Sequence, residues 1–440
     1  MSAIHVGLIG WGTVGCGVIE VLRENAEAIA SRLGMPLRLK RVADLDLERP
    51  RPVDVPREML TNRVDDILDD PEIDVVIELI GGTGFAKELI IRALESKKHV
   101  VTANKALLAH AGNELFEVAQ RNGRVIGFEA SVAGGIPLIK ALREGLAGNR
   151  VDTIFGILNG TANYILTRMT EGGLTFAAAL QEAQAKGYAE ANPALDIEGT
   201  DAAHKLAIAS AICFGTKIQF DQVYTEGIAR VDLLDVQFGE EFGYQLKLLA
   251  IARKADDKIE MRVHPTLIPK DHVLASVTEA YNAVYIHGNA VGNIMLYGMG
   301  AGMMPTGSAV VSDLIDIARD MRGNTPGRIP HLAFMPECLR DIPSKSITDI
   351  TTCYYFRFAA VDRPGVLSKI AGILGANDIS IASVIQKGRQ VEGAVPIVML
   401  THEALESNVR KALEEIGRLE VVLAPTQLIR IENQETGILY

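Results

Sequence analysis

Cysteine is scarce in this chain. Only Cys16, Cys213, Cys338 and Cys353 occur among 440 residues, all far apart. No Cys-x-x-Cys is present, which excludes a zinc knuckle and a disulfide framework. Runs of about eighteen apolar residues are also lacking, so no segment reads as a bilayer-spanning helix. No basic n-region or cleavage site marks the start, and a reducing cytoplasm is the expected location. Basic residues are outnumbered, 44 Lys and Arg against 55 Asp and Glu, for a formal charge of −11. That balance argues against nucleic acid or an anionic membrane as partner. Disorder is excluded by a 48% hydrophobic content and a mean hydropathy of +0.17. The length exceeds what one core supports, so two or three domains are expected.

The most informative stretch runs from Gly187 to Lys205. It packs Glu190, Asp196, Glu198, Asp201 and Lys205 ahead of an apolar helical run that starts at Leu206. Charged side chains at such a border line a cavity floored by the helix. Asp201 and Lys205, four apart, share a helix face. The bland reading is an ordinary surface ion pair. The sharper one is a carboxylate that holds a substrate ammonium beside a lysine that acts on a carbonyl.

The first third has the marks of a dinucleotide-binding domain. Ile4–Ile9 reads as a buried strand that runs into Gly10-Trp-Gly-Thr-Val-Gly15 and then a helix to about Arg32. In Gly-x-Gly-x-x-Gly, Gly10 permits the turn and Gly12 lets backbone approach a pyrophosphate. Gly15 lets the helix pack on the strand. Thr13 and Val14 sit where amides touch the cofactor. The second strand ends at Asp44, placed to accept bonds from the adenosine ribose and to repel a 2′-phosphate, which favours NAD over NADP. Strands at 74–80 and 99–102 follow, the latter opening into Ala103-Asn104-Lys105. A lysine there lies at the crevice where open α/β sheets bind ligands. Glu129-Ala-Ser-Val-Ala-Gly-Gly-Ile136 offers one carboxylate and several carbonyls, suited to a hard cation or to a plain glycine hinge.

The middle of the chain reads as a mixed sheet faced by a few helices. Its strands lie near 151–158, 223–228, 245–252, 260–268 and 283–288, its helices near 164–170, 176–186 and 201–214. The glycine turn 296–302 caps a long helix to about Met321. Residues 322–350 read as a linker region. Beyond it, strand, helix, two strands, helix and a last strand at 420–423 give βαββαβ, a ferredoxin-like order. In Asp362-Arg-Pro-Gly-Val-Leu, Gly365 leaves amides free at a helix start for an amino-acid carboxylate, with Asp362 and Asn377 in reach.

Several of these motifs resemble homoserine dehydrogenases. The chain matches that family's Gly-Tyr…Asn-Pro…Asp-Ile-Glu-Gly-x-Asp-x-x-x-Lys pattern from 187 to 205, its Thr-Ala-Asn-Lys at 102–105 and its Asn-Gly-Thr-x-Asn at 159–163. Asp362–Leu367 resembles the ACT regulatory fold. The implied fold class is α/β. It comprises a Rossmann-type doubly wound domain (1–137, plus about 300–321), an α+β substrate and dimerisation domain (138–299), the linker and a ferredoxin-like ACT domain (351–430).

The implied activity is NAD- or NADP-dependent interconversion of L-aspartate 4-semialdehyde and L-homoserine, in threonine and methionine biosynthesis. The resemblance makes Lys205 the general acid and Lys105 the second active-site lysine, each lysine depressing the other's pKa. Glu190 and Asp201 would hold the α-ammonium, and Gly187 and Gly302 would lie by the cofactor. A monovalent cation such as Na+ would be held by Glu129 with Val132, Gly134 and Ile136. Threonine would be the effector, and the assembly a homodimer or homotetramer. Two rivals stand beside this reading. One is an acylating semialdehyde enzyme that works through a cysteine thioester. The other is a non-catalytic sensor of nucleotide and amino acid.

Overall fold

A computed structural model describes residues 3–386 and 394–433. The chain forms two compact units, each drawn from separated segments. The first takes residues up to Gly160, Asp201–Val223 and Tyr281–Ile342; the second takes Thr161–Thr200, Tyr224–Ala280 and Pro343 onward. Among the described residues no helix is long and apolar enough to cross a membrane.

The first unit holds a six-stranded, all-parallel sheet. Its spatial order is Leu60–Thr61, Leu37–Ala43, Ile4–Ile9, Val75–Glu78, His99–Thr102, Ile126–Gly127. This 3-2-1-4-5-6 order is the doubly wound arrangement, with its switch point between Ile4–Ile9 and Val75–Glu78. Ile9 pairs with Ala43 on one side and Glu78 on the other. The expected long first helix is two, Thr13–Glu24 and Ala26–Leu33, broken at Asn25. The helix Met303–Gly323 packs on the first of these. The crossing is close because it is built on glycines. A β-carbon on Gly17 would lie 1.9 Å from Met303 O, and one on Gly307 would lie 2.5 Å from the Gly17 carbonyl carbon. Both residues carry this contact through bare backbone.

The same unit has a small antiparallel sheet. Val151–Ile157 pairs with Tyr281–Gly288, which pairs with Gly292–Met299. The last of these is a glycine-containing strand that the sequence presented as a turn. After Lys140 the expected helix 138–146 widens: the Leu146 N–H bonds Ala141 O at 2.8 Å, a five-residue step.

The second unit carries a continuous sheet in the order Tyr244–Ala255, Lys258–Pro269, Gln427–Ile431, Thr351–Ala360, Val395–Thr401, Ile381–Gln386. The last four strands, with helices Val366–Ala376 and Glu406–Gly417 over an apolar core, complete the βαββαβ fold. Its final strand is Gln427–Ile431, not 420–423. That strand pairs antiparallel with Thr351–Ala360 and parallel with Lys258–Pro269 through Thr266↔Arg430 and Leu267↔Ile431. The carboxyl-terminal fold therefore shares a sheet with the middle of the chain. Charge reinforces the seam: the guanidinium of Arg262 is bonded by Glu260 and Glu432, and that of Arg430 by Glu406 and Glu226.

Candidate active site

The glycine turn stands at the switch point. Gly10 ends the first strand at φ +107°, and a β-carbon there would lie 2.6 Å from Leu79 O. One on Gly15 would lie 2.2 Å from Gly10 O. Gly12 is different. It caps the helix Thr13–Glu24, and nothing lies within 4 Å of its β-carbon position. Gly12 and Thr13 are exposed and Val14 half-buried. This open ground in front of helix amides fits a pyrophosphate.

Asp44 ends the second strand with both oxygens engaged. It accepts from Trp11 N–H at 2.7 Å and Asp46 N–H at 3.0 Å, and it pairs with Arg51 at 3.1 Å. Arg51 lies over the Trp11 ring at 4.2 Å and donates to the Trp11, Arg49 and Asp46 carbonyls. The guanidinium is thus fixed, not free to swing.

Beyond the next two strands lies a support that the sequence concealed. Glu78 is fully buried at the end of an apolar strand. One of its oxygens accepts from Ile80 and Gly81 N–H, and the other from Thr102 Oγ1 at 2.7 Å. Asn104 caps the helix Lys105–Arg121 by accepting from Leu107 N–H, and its amide donates to Gly82 O at 2.7 Å. These bonds set the start of the helix, and so the root of Lys105.

Two helix starts meet at one carboxylate. Asp201, in the first turn of Thr200–Phe214, is 6% exposed. Its Oδ1 lies 3.0 Å from Lys105 Nζ, and its Oδ2 lies 2.7 Å from Lys205 Nζ and 2.8 Å from Asn159 Nδ2. Lys205, 8% exposed, also donates to Leu158 O at 2.6 Å. Burial works to raise the Asp201 pKa, but Lys205 and Lys105 overcome it and hold the carboxyl well below the usual range. The anion also offsets the mutual repulsion of the two ammoniums. Lys105 is the more open of the pair, with a side chain 39% exposed. A cation that can approach a carbonyl thus stands beside one that is anchored.

Glu190 is exposed in the second unit, its carbonyl held by Gln184 Nε2 at 3.1 Å. The structure groups Lys105, Asp201 and Lys205. Gly187 ends the helix Phe176–Ala185 at φ +76°, where glycine is the natural stop. Gly302 caps Met303–Gly323 at φ +121° and is exposed.

The loop 129–137 packs against the turn before Gly302. A β-carbon on Gly134 would lie 2.2 Å from Gly300 O, and Gly135 N–H donates to Met299 O. The Glu129 side chain differs from the expectation of an open ligand. Its oxygens accept from Ile139 and Lys140 N–H at 2.8 and 2.9 Å. Burial, then Asp313, pushes its pKa up to about 7. A cation here would rest on main-chain carbonyls, and the Ile136 carbonyl already accepts from Leu138 N–H. Among the described residues, no three His, Cys, Asp or Glu gather as a metal cluster.

In the carboxyl-terminal fold, Gly365 starts and Asn377 ends the helix Val366–Ala376. Asp362 is exposed, whereas Asn377 is buried and donates to Ile373 O. Within one chain, Asn377 therefore lies a helix length, about 16 Å, from the other two.

His204 was not singled out from the sequence. It is 5% exposed beside Lys205, edge-on to His110 at 5.5 Å and against Phe220 at 4.4 Å. This aromatic layer packs the lysine-bearing helix against Lys105–Arg121. Neither Cys213 nor Cys16 suits a nucleophile: burial pushes Cys213 up to about 12 and raises Cys16.

Three family models match. "Homoserine dehydrogenase, NAD binding domain" covers residues 10–129, "Homoserine dehydrogenase" covers 137–315, and "ACT domain" covers 354–421. A homoserine dehydrogenase of Pseudomonas aeruginosa is 48% identical over 435 residues, 98% of this chain and all of that protein. One of Neisseria gonorrhoeae is 47% identical over 98% of this chain and 99% of that protein. The crystal structure of a homoserine dehydrogenase from Thiobacillus denitrificans superposes with a TM-score of 0.91 at 49% identity, covering 98% of each chain. A hyperthermophilic archaeal homoserine dehydrogenase in complex with NADPH matches 72% of this chain and 97% of its own, with a TM-score of 0.58 at 26% identity.

Proposed function

Because the chain belongs to the homoserine dehydrogenase family, an oxidoreductase family that uses NAD(P), we propose that its Lys105–Asp201–Lys205 cluster interconverts L-aspartate 4-semialdehyde and L-homoserine. The observation that carries this reading is the single buried carboxylate shared by two lysines at two helix starts. When bound, a reduced nicotinamide supplies the hydride.

Lys205 donates the proton to the aldehyde oxygen and takes it back from the hydroxyl in reverse. Asp201 and Leu158 O fix its ammonium, so the donor is oriented before substrate arrives. Lys105, more open, orients substrate and cofactor. Glu190 holds the α-ammonium. Asp201, with both oxygens on lysines, serves chiefly to place them. The same reading includes a Na+ held by Glu129 with the backbones of Val132, Gly134 and Ile136. Threonine is the effector of the carboxyl-terminal fold, and the enzyme works as a homodimer or homotetramer in the route to threonine and methionine. The direct test is the nicotinamide absorbance band with L-homoserine and either oxidised cofactor. A flat trace with both overturns the reading.

NAD is the proposed cofactor. Asp44 stands where ribose hydroxyls bond, and Arg51 is tied down beside it. Wild type therefore has the higher kcat/KM with NAD. Asp44→Ser removes the anion that repels a 2′-phosphate and leaves the Arg51 charge beside it uncompensated. Its NADP-to-NAD ratio of kcat/KM rises by ~10–100-fold. An unchanged ratio counts against Asp44 as the selector.

A further inference from the structure

The second unit contains a cleft of about 770 Å³ that none of the residues assigned above lines. One wall is the segment Tyr224–Arg230 with Glu198; the other is the carboxyl-terminal fold, through Arg410, Thr426, Gln427 and Arg430. Its volume lies in the range of small-molecule sites. Charges of both signs border it. Arg230 is exposed and pairs with no described residue, and Arg410 is half exposed on Glu406 at 3.0 Å. Glu226 is partly open, accepting from Tyr224 Oη at 3.0 Å and Arg430 Nη1 at 2.9 Å. The Thr426 hydroxyl is buried and has no hydrogen-bond partner among the described residues. A buried hydroxyl in that state calls for a partner.

We propose that this cleft binds a free α-amino acid, its carboxylate on Arg230 and Arg410, its ammonium on Glu226 and Glu198, and a polar side-chain atom on Thr426. The inference extends the effector reading given above and places the effector away from Gly365. Binding tests it without turnover, so the two readings fail separately.

The cleft is also wired to the catalytic helix through the chain. Glu226 N–H donates to Val263 O at 2.8 Å, and Ile228 N–H donates to Ile197 O at 2.8 Å. A β-carbon on Gly227 would lie 2.2 Å from Ile197 O, so these two segments pack backbone against backbone. Ile197 stands four residues before Asp201. Across the cleft, Arg430 is 2% exposed and bonds both Glu406 oxygens and Glu226. A ligand ammonium that competes for Glu226 loosens that bond and pulls on the segment leading to the lysine.

The experiment is a thermal-shift screen of the full chain against the twenty standard L-amino acids, followed by calorimetry on the strongest hit. At least one shifts the midpoint, and Arg230→Ala and Thr426→Val each raise its Kd by about tenfold or more. Thr426→Ser, which restores the hydroxyl, returns Kd to within about twofold of wild type and controls for folding. A screen with no shift overturns the proposal. So does a Kd that Arg230→Ala and Thr426→Val both leave within twofold, which would place the ligand elsewhere. Equal competition by inorganic phosphate overturns it as well, since the cleft would then be an anion site.

Discussion

Lys205→Ala lowers kcat on L-homoserine by about 10²–10⁴-fold, the range for loss of a positioned proton-transfer group. Affinity for the dinucleotide, read by fluorescence titration, stays within about twofold of wild type. The separation follows from placement. Lys205 is rooted in Thr200–Phe214, whereas the phosphate cradle is the turn Gly10–Gly15 before Thr13–Glu24. Lys105→Ala is milder in kcat and raises KM, because that side chain is open and orients rather than donates. Asp201→Asn removes the charge that both ammoniums share, so its effect and that of Lys205→Ala add to less than their sum. Turnover of Lys205→Ala within tenfold of wild type would remove it from the proton path.

Much of this site is legible along the chain because its parts are local. The glycine turn follows directly on a strand, and Asp201 and Lys205 lie one helical turn apart. What stays hidden depends on segments that meet only in space. Lys105 and Asp201 are ninety-six positions apart, and no pattern says that one carboxylate serves both lysines. Glu78 breaks an apolar strand and looks like an exposed end, yet it is buried because three backbone or hydroxyl donors satisfy it. The last strand was misplaced for the same reason. Arg430 and Glu432 are charged, yet Arg430 pairs with Glu406 and Glu226, and Glu432 with Arg262 and Arg253, so both lie buried. The helix Leu233–Glu241 went unread because its apolar face is weak. Its capping box, Asp232 with Asp235, was the available signal.

Buried histidines weaken the first unit as the pH falls below 6.5. Burial pushes His99 and His204 down to about 4. His99 Nδ1 accepts from Val125 N–H at 3.1 Å, a bond that a proton on that nitrogen would abolish. His331, also depressed by burial, accepts from Ile126 N–H at 3.0 Å while stacked on Phe116. Each folded pKa lies below the unfolded value near 6.5. Above pH 6.5 both states are neutral and the full stability is present. As pH falls from 6.5 toward 4, the unfolded chain takes up protons that the folded one refuses, and stability drains away. Glu129, raised to about 7, and Asp313, raised to about 6, act in the opposite sense, because the folded state takes up their protons before the unfolded chain does. Trp11, the one tryptophan, lies in this unit and reports its unfolding by fluorescence. The wild-type denaturant midpoint between pH 7 and pH 5 sums both sets of groups, so the histidine share is read against a variant. His99→Asn keeps an acceptor near Nδ1 without the titration, so its midpoint falls by visibly less over the same interval. A His99→Asn midpoint that follows wild type at every pH from 7 to 5 would mean that the His99 ring takes up its proton in the folded state as readily as in the unfolded chain.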